Sequence, residues 1–188
     1  MEIIFATGNS GKVEEMQPIL EDTDYSLKQQ PAEIEEIDAL NVEDVARRKA
    51  KDAAEALGED FVLVEDTGFY VEGLNGFPGA KASFFDYTCG AENLLKLLEE
   101  KDNRKAYFKT AVALYHEGEV EVFTGKMTGR VPEESRGEAV EELPYNSIIA
   151  PDHGEGKTLA QNSELKDENF MRVEATEKFI EWLKDNGL

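Results

Sequence analysis

The chain has a single cysteine, Cys89, so an internal disulfide is excluded and a reducing cytoplasm is the expected setting. No apolar run approaches the ~20 residues that a membrane span requires, and the first residues show no signal-peptide pattern. Basic residues are scarce: 20 Lys and Arg stand against 41 Asp and Glu, a formal net charge of −21. Duplex nucleic acid and anionic membrane surfaces draw their nonspecific affinity from cationic side chains, so neither is an expected partner. Internal repeats and low-complexity linkers are also missing, and no domain boundary shows.

What is present is enough for a core. A chain of 188 residues, 40% of them hydrophobic, suits one domain over residues 1–188. At this size roughly 70% of the unfolded surface is buried, so no structural metal is needed to hold the fold. The excess of acid reads either as a solvated face that keeps the chain in solution or as adaptation to a salty cytoplasm. In the second case screening relieves the self-repulsion.

Residues 1–6 form a short apolar run followed at once by a glycine-rich turn, which predicts a strand and then a loop. Val13, Met16, Ile19 and Leu20 recur at three and four, a helix face. Residues 25–29 are a weak strand, and a helix is expected from about Asn41 to Ala56, stopped by Gly58. A second buried strand, 61–64, ends at Glu65-Asp66, and 92–100 reads as a helix with Leu94, Leu95, Leu97 and Leu98 inward. Residues 106–115 and 119–125 alternate around His116-Glu117-Gly118, a β-hairpin. Residues 145–149 suggest one more strand, and 166–185 an amphipathic closing helix. Together these predict an α/β fold with a mixed sheet, in one domain of two lobes around a cleft.

Two constellations carry chemistry. Thr7-Gly8-Asn9-Ser10-Gly11-Lys12 joins the first strand to the first helix. Glycines admit a phosphate close to the backbone, a helix start offers N–H groups, and Lys12 supplies a cation; an ordinary turn has the same composition. Its spacing is not that of a Walker A loop. Glu65-Asp66-Thr67-Gly68 follows the second strand. Adjacent carboxylates there are costly unless a cation meets them, and strand ends are where open sheets bind ligands. The alternative is an acidic turn in an acidic chain. Glu36 lies in another acidic stretch and is a distant candidate ligand. Mg²⁺ is the ion that such hard oxygen donors select.

T-G-N-S-G-K after strand one, E-D-T-G after a V-L-V strand, and L-N-G-F-P-G shortly beyond resemble the inosine triphosphate pyrophosphatases over essentially the whole chain. The resemblance implies an elongated two-lobe α/β fold with a central active-site cleft. It also implies a homodimer and Mg²⁺-dependent cleavage of nucleoside triphosphates, non-canonical purines above all, to monophosphate and pyrophosphate. On that pattern Thr7, Asn9 and Lys12 grip the triphosphate, with Gly8, Ser10 and Gly11 completing the loop and Lys49 pointing at the phosphates from a helix. Glu36, Glu65 and Asp66 match metal-binding carboxylates. Asp66 matches the proton acceptor and Thr67 the hydroxyl beside it, while Glu65 and Lys12 join Asp66 as catalytic residues.

The base-reading half departs from the pattern. Where the family has F-G-Y-D-P this chain has Leu143-Pro144-Tyr145-Asn146-Ser147, and its S-H-R triplet becomes Phe170-Met171-Arg172. A stacking ring, an aspartate and a histidine are lost, while Lys166 and Arg172 match retained base-side residues. The resemblance therefore implies the same chemistry with an altered or relaxed base preference, or a nucleotide-binding relative without turnover. His116 and His153 read as surface residues, Trp182 as core or dimer contact, and Cys89 as a buried or idle thiol.

Overall fold

A computed structural model of the chain describes residues 1–35, 37–138, 140, 143–165 and 170–188. The strands are β1 (Glu2–Phe5), β2 (Ser26–Gln29), β3 (Phe61–Val71), β4 (Pro78–Gly79), β5 (Lys105–His116), β6 (Glu119–Arg130) and β7 (Ala150–Pro151). The helices are α1 (Ser10–Met16), α2 (Val42–Leu57), α3 (Ala82–Cys89), α4 (Asn93–Leu97) and α5 (Met171–Asp185). Six strands run in the order β2-β1-β3-β5-β6-β7, and β4 pairs with β3, giving a mixed seven-stranded sheet. The expected α/β class is what the chain forms.

The chain condenses into two compact units. The first comprises residues 1–66, 110–125 and 171–188, and the second 67–109 and 126–170. In the first, β1 pairs in parallel with β2 on one side and β3 on the other, setting Phe5 opposite Leu63. Its core gathers Ile3, Phe5, Met16, Leu20, Leu63, Val112, Leu114, Phe179 and Leu183. Trp182 packs against that core rather than standing free. Helix α2 is amphipathic because Val42, Val45, Ala46, Ala50 and Ala53 share a buried stripe. Asn41 caps it by accepting from the Asp44 N–H at 2.9 Å, and Gly58 ends it at φ 67°.

Helix α5 lies against β6 at Gly125. A Cβ there would stand 1.9 Å from the Met171 carbonyl oxygen, so only glycine admits the start of α5. In the second unit, Phe69 and Phe108 pack with Tyr145, ring centroids 4.9 and 4.8 Å from Phe69. The β5–β6 hairpin turns through Glu117 and Gly118, both at positive φ, as a two-residue loop requires.

Several expectations need correction. The strand expected to end at Glu65-Asp66 runs on to Val71, so the acidic pair sits mid-strand. Residues 145–149 are not a strand: Asn146–Ile148 form a 3₁₀ turn, since the segment is held by side-chain anchoring rather than by a ladder. Leu97 is 47% exposed, because α4 is one short turn that buries only Leu94, and Leu98 follows as its cap. Helix α3 was not foreseen; Phe84 and Tyr87 lie on its outer face and break the helical apolar period. Cys89 is exposed, which removes the buried alternative of the two expected and leaves the idle thiol. The closing helix is described from Met171, and residues 166–169 lie outside the described residues.

Candidate active site

Strand β1 stops at Phe5, and its last ladder contact passes from the Ala6 N–H to the Leu63 carbonyl at 2.8 Å. Beyond that point β3 continues without β1 beside it, and the chain passes through the short loop Thr7-Gly8-Asn9 into the first turn of α1, which brings Lys12 to Glu65. That is why Glu65 lies against the loop although 53 residues separate it from Lys12. The loop is shaped by its own polar atoms. The Asn9 N–H donates to Thr7 Oγ1 at 3.1 Å, and Gln29 Nε2 donates to the Thr7 carbonyl at 3.1 Å. Asn9 is in extended backbone as the cap residue of α1. At Gly11 a Cβ would press on Asn9 Oδ1 at 3.1 Å, whereas Gly8 has open space around it. Gly8, Asn9 and Ser10 are exposed.

Lys12, Glu65, Arg172 and Glu15 form one connected chain of charges, all in the first unit. Lys12 Nζ donates to the Glu65 carbonyl at 3.2 Å and pairs with its carboxylate. The same carboxylate accepts from Arg172 Nε at 3.3 Å and Nη2 at 3.1 Å. Arg172 Nη1 donates to Glu15 Oε2. Glu65 is 1% exposed and Arg172 8%. Burying an isolated charge is prohibitive, so the alternation of sign along this chain is what allows both inside. Desolvation pushes the Arg172 guanidinium down to about 10, still well above neutral pH, so it remains a cation in its carboxylate setting.

Glu15 and Gln29 were missed by sequence reasoning. Glu15 was hidden because it is one Glu among many on a helix whose visible signal was apolar periodicity. Its place one helical turn after Lys12 puts it near that residue on α1, a signal that could have found it.

Asp66, next along β3, is half-buried, and Lys49 is half-buried on α2. Met171 is 3% exposed at the start of α5. Glu36 and Lys166 lie outside the described residues. Among the described residues no three His, Cys, Asp or Glu converge on a common point. Mg²⁺ does not need such a cage, since it is commonly held by one or two carboxylates with waters and phosphates. The donor set therefore suits it through Asp66, while Glu65 is already engaged by two cations.

The remaining expected residues belong to the second unit. Thr67 is half-buried on β3, and Leu143 is 40% exposed. Tyr145 is buried, its hydroxyl donating to the Ala82 carbonyl at 2.8 Å. Burial raises its pKa, with Asp86 and Cys89 adding to the shift. Asn146 starts the 3₁₀ turn; its N–H donates to Leu143 and its carbonyl accepts from Ala160 at 3.0 Å. Thus Arg172, expected at a base, is committed to two carboxylates, and Tyr145, expected at a base, anchors the segment that carries Asn146.

Comparison with known proteins matches these features to one family. The model of the Ham1 family covers residues 3–182. A dITP/XTP pyrophosphatase of Methanopyrus kandleri is 40% identical over 188 residues, 99% of this chain and 98% of that protein. One of Hyperthermus butylicus is 39% identical, spanning 98% of this chain and 96% of its own length. The structure of the Staphylococcus aureus Ham1 protein superposes with a TM-score of 0.83 at 26% identity, covering 99% of this chain and 100% of that one. With a glycine-rich segment set on a Lys–Glu–Arg–Glu chain of charges whose Glu65 and Arg172 are buried, and a family match over residues 3–182, the chain belongs to the Ham1 family.

Proposed function

We propose that the protein hydrolyses non-canonical purine nucleoside triphosphates, such as dITP, ITP and XTP, to the nucleoside monophosphate and pyrophosphate. The observation that carries this is the juxtaposition of Lys12 and the Glu65-Asp66 pair where β1 gives way to the loop. Relatives of near-equal length that bear the name dITP/XTP pyrophosphatase support the substrate class.

In this reading the loop of Thr7, Gly8 and Asn9 and the first turn of α1 hold the outer phosphates, with Thr7 and Asn9 offering polar side chains and Lys12 a charge. An ammonium has three donors. Two of Lys12's are engaged by the Glu65 carbonyl and carboxylate, which leaves the third for a ligand. Asp66 accepts the proton of the attacking water as the bond between the α- and β-phosphates breaks, and Lys12 stabilises the charge on the departing pyrophosphate. Mg²⁺, held by Asp66 with Glu36 as a second carboxylate, supplies charge neutralisation at the phosphate oxygens when bound. Lys49 adds a cation from α2. Glu65 is the residue that orients Lys12 and Arg172.

A second reading, the same chemistry with relaxed base preference, is favoured by Leu143 standing half exposed where a stacking ring is expected. The two are separated by measuring pyrophosphate release with Mg²⁺ across inosine, xanthosine and standard triphosphates. Preference for the first two supports the primary reading; comparable kcat/KM for all supports the second; silence on every nucleotide overturns both and leaves a binding protein. The exposed rings of Phe84 and Tyr87, 67% and 90% exposed on α3, support a homodimer, which light scattering on Tyr87→Lys tests. The lone exposed thiol, Cys89, suits a cytoplasmic setting, and no described helix is long and apolar enough to cross a membrane.

A further inference from the structure

We propose that the outer face of the β5–β6 ladder in the second unit is a separate binding site for a small, multiply charged phosphate-type oxyanion. Along β5 the residues on that face are Lys105, Tyr107 and Lys109, and along β6 they are Lys126, Thr128 and Arg130. The two-residue turn at Glu117-Gly118 sets His116 opposite Glu119, and so Lys105 opposite Arg130 and Lys109 opposite Lys126. These are two like-charge pairs across adjacent strands, an arrangement that destabilises a sheet. They gather four of the 20 cations of a chain with 41 acidic residues, and none of those acids is interleaved on this stretch of the two strands. An anion bridging Lys105 and Arg130 removes the repulsion of that pair.

A cavity of about 280 Å³ opens on this face, lined among others by Lys105, Lys126 and Arg130, with Glu72 and Asp152 also contributing. Glu72 accepts from Asn103 Nδ2 at 3.2 Å, and the Asp152 N–H donates to the Thr128 carbonyl at 3.0 Å. Among the described residues Lys105 and Arg130 make no ion pair. The wall is built: Tyr107 stacks on Tyr70 at 4.9 Å and 6°, and Lys126 Nζ lies 3.7 Å over its ring. With both faces of Tyr107 covered, no nucleobase stacks there, so the face suits the phosphate portion of a ligand and not its base. Three cations outnumber the two carboxylates here, and the planar fork of Arg130 matches the oxygens of a phosphate-type anion. Free pyrophosphate and the tail of a nucleotide share this chemistry. Choosing pyrophosphate as probe rests on the hydrolysis proposed above; the site itself does not.

The test titrates inorganic pyrophosphate, in metal-free buffer, into the full chain carrying Lys12→Gln, which disables the loop, and follows backbone amide NMR shifts. Saturating shifts concentrated at residues 105–109 and 126–130 are expected. Adding Lys105→Gln and Arg130→Gln is expected to weaken binding about tenfold or more. A single cooperative melting transition within a few degrees of the parent's shows that this variant folds. Shifts that scatter, or an affinity unchanged by the double change, overturn the proposal. A parallel titration with a non-hydrolysable triphosphate names the source: tighter binding of free pyrophosphate assigns it to the product, equal binding to the nucleotide tail, and each supports the site. Turnover of the unmodified protein is measured alongside, and its failure would sink the hydrolysis while leaving this face standing.

Discussion

Replacing Arg172 by methionine tests whether the charge chain holds the first unit together. The substitution keeps the aliphatic stem and deletes the guanidinium, leaving Glu65, 1% exposed, without Arg172 but still paired with Lys12. Removing one partner of a buried pair costs about 3–5 kcal/mol, chiefly because the other charge is left desolvated. Lys12 still contacts the Glu65 carboxylate, so the lower end, about 3 kcal/mol, is the expected loss. At 188 residues that corresponds to a fall in Tm of roughly 6–12 °C, taking about 2–4 °C per kcal/mol. Urea unfolding of Arg172→Met, Glu65→Met and the double variant supplies a cycle. Because the cost lies in the orphaned charge, the double variant should recover to within about 1 kcal/mol of the parent. The pair is buried, so the coupling should persist between about 0.1 and 1 M salt, where an exposed pair would fade. A loss under about 1 kcal/mol for Arg172→Met, or simple additivity in the cycle, would refute the argument.

Asp66→Asn should cut turnover by roughly 10²–10⁴ while leaving Tm within a few degrees, read from pyrophosphate release and calorimetry. Gly125→Ala forces a Cβ onto the Met171 carbonyl oxygen, and about 2–4 kcal/mol of stability should go with it; a near-normal urea midpoint would mean that α5 shifts without cost. Tyr145 has a raised pKa in the folded chain, so the native state holds its proton more tightly than the unfolded one. Its contribution is complete below the usual tyrosine value of about 10 and is lost as pH climbs past it. Tyr145→Phe should lower stability at neutral pH by about 1 kcal/mol and flatten that alkaline decline, measured as urea midpoints from pH 8 upward.

The elements legible in the sequence were those with a local cause. The helix from Asn41 announces itself through a capping side chain, a stripe of small apolar residues and a glycine that only a left-handed residue could replace. The hairpin likewise follows from alternation around Glu117-Gly118. What was not legible depends on partners distant in sequence. Strand β3 was expected to stop at Glu65 because paired carboxylates normally end a buried run. It continues because Lys12 and Arg172, 53 and 107 residues away, neutralise Glu65 inside. Residues 145–149 read as a strand from their apolar content, yet the Tyr145 hydroxyl bond to Ala82 and the Asn146 carbonyl bond from Ala160 draw them into a 3₁₀ turn.

The same contrast bears on base choice. Met171 and Arg172 depart from or retain a family triplet at the level of sequence, but in the structure both side chains are buried at the start of α5. A histidine at 171 would carry two ring nitrogens needing partners, whereas methionine fills the space with none. The replacement is therefore compatible with the close seat of α5 on Gly125. Arg172 meanwhile places Nε, Nη1 and Nη2 on Glu65 and Glu15, so its charge is compensated inside the protein before any substrate binds. An enzyme that rejects a wrong base does so by leaving its own buried polar groups unpaired, at about 1–3 kcal/mol each. Here the one buried cation of the triplet is already satisfied without any base. A bound base of either kind then leaves that group no worse off, which is the physical reason to expect kcat/KM for inosine and standard purine triphosphates to lie closer together in this protein.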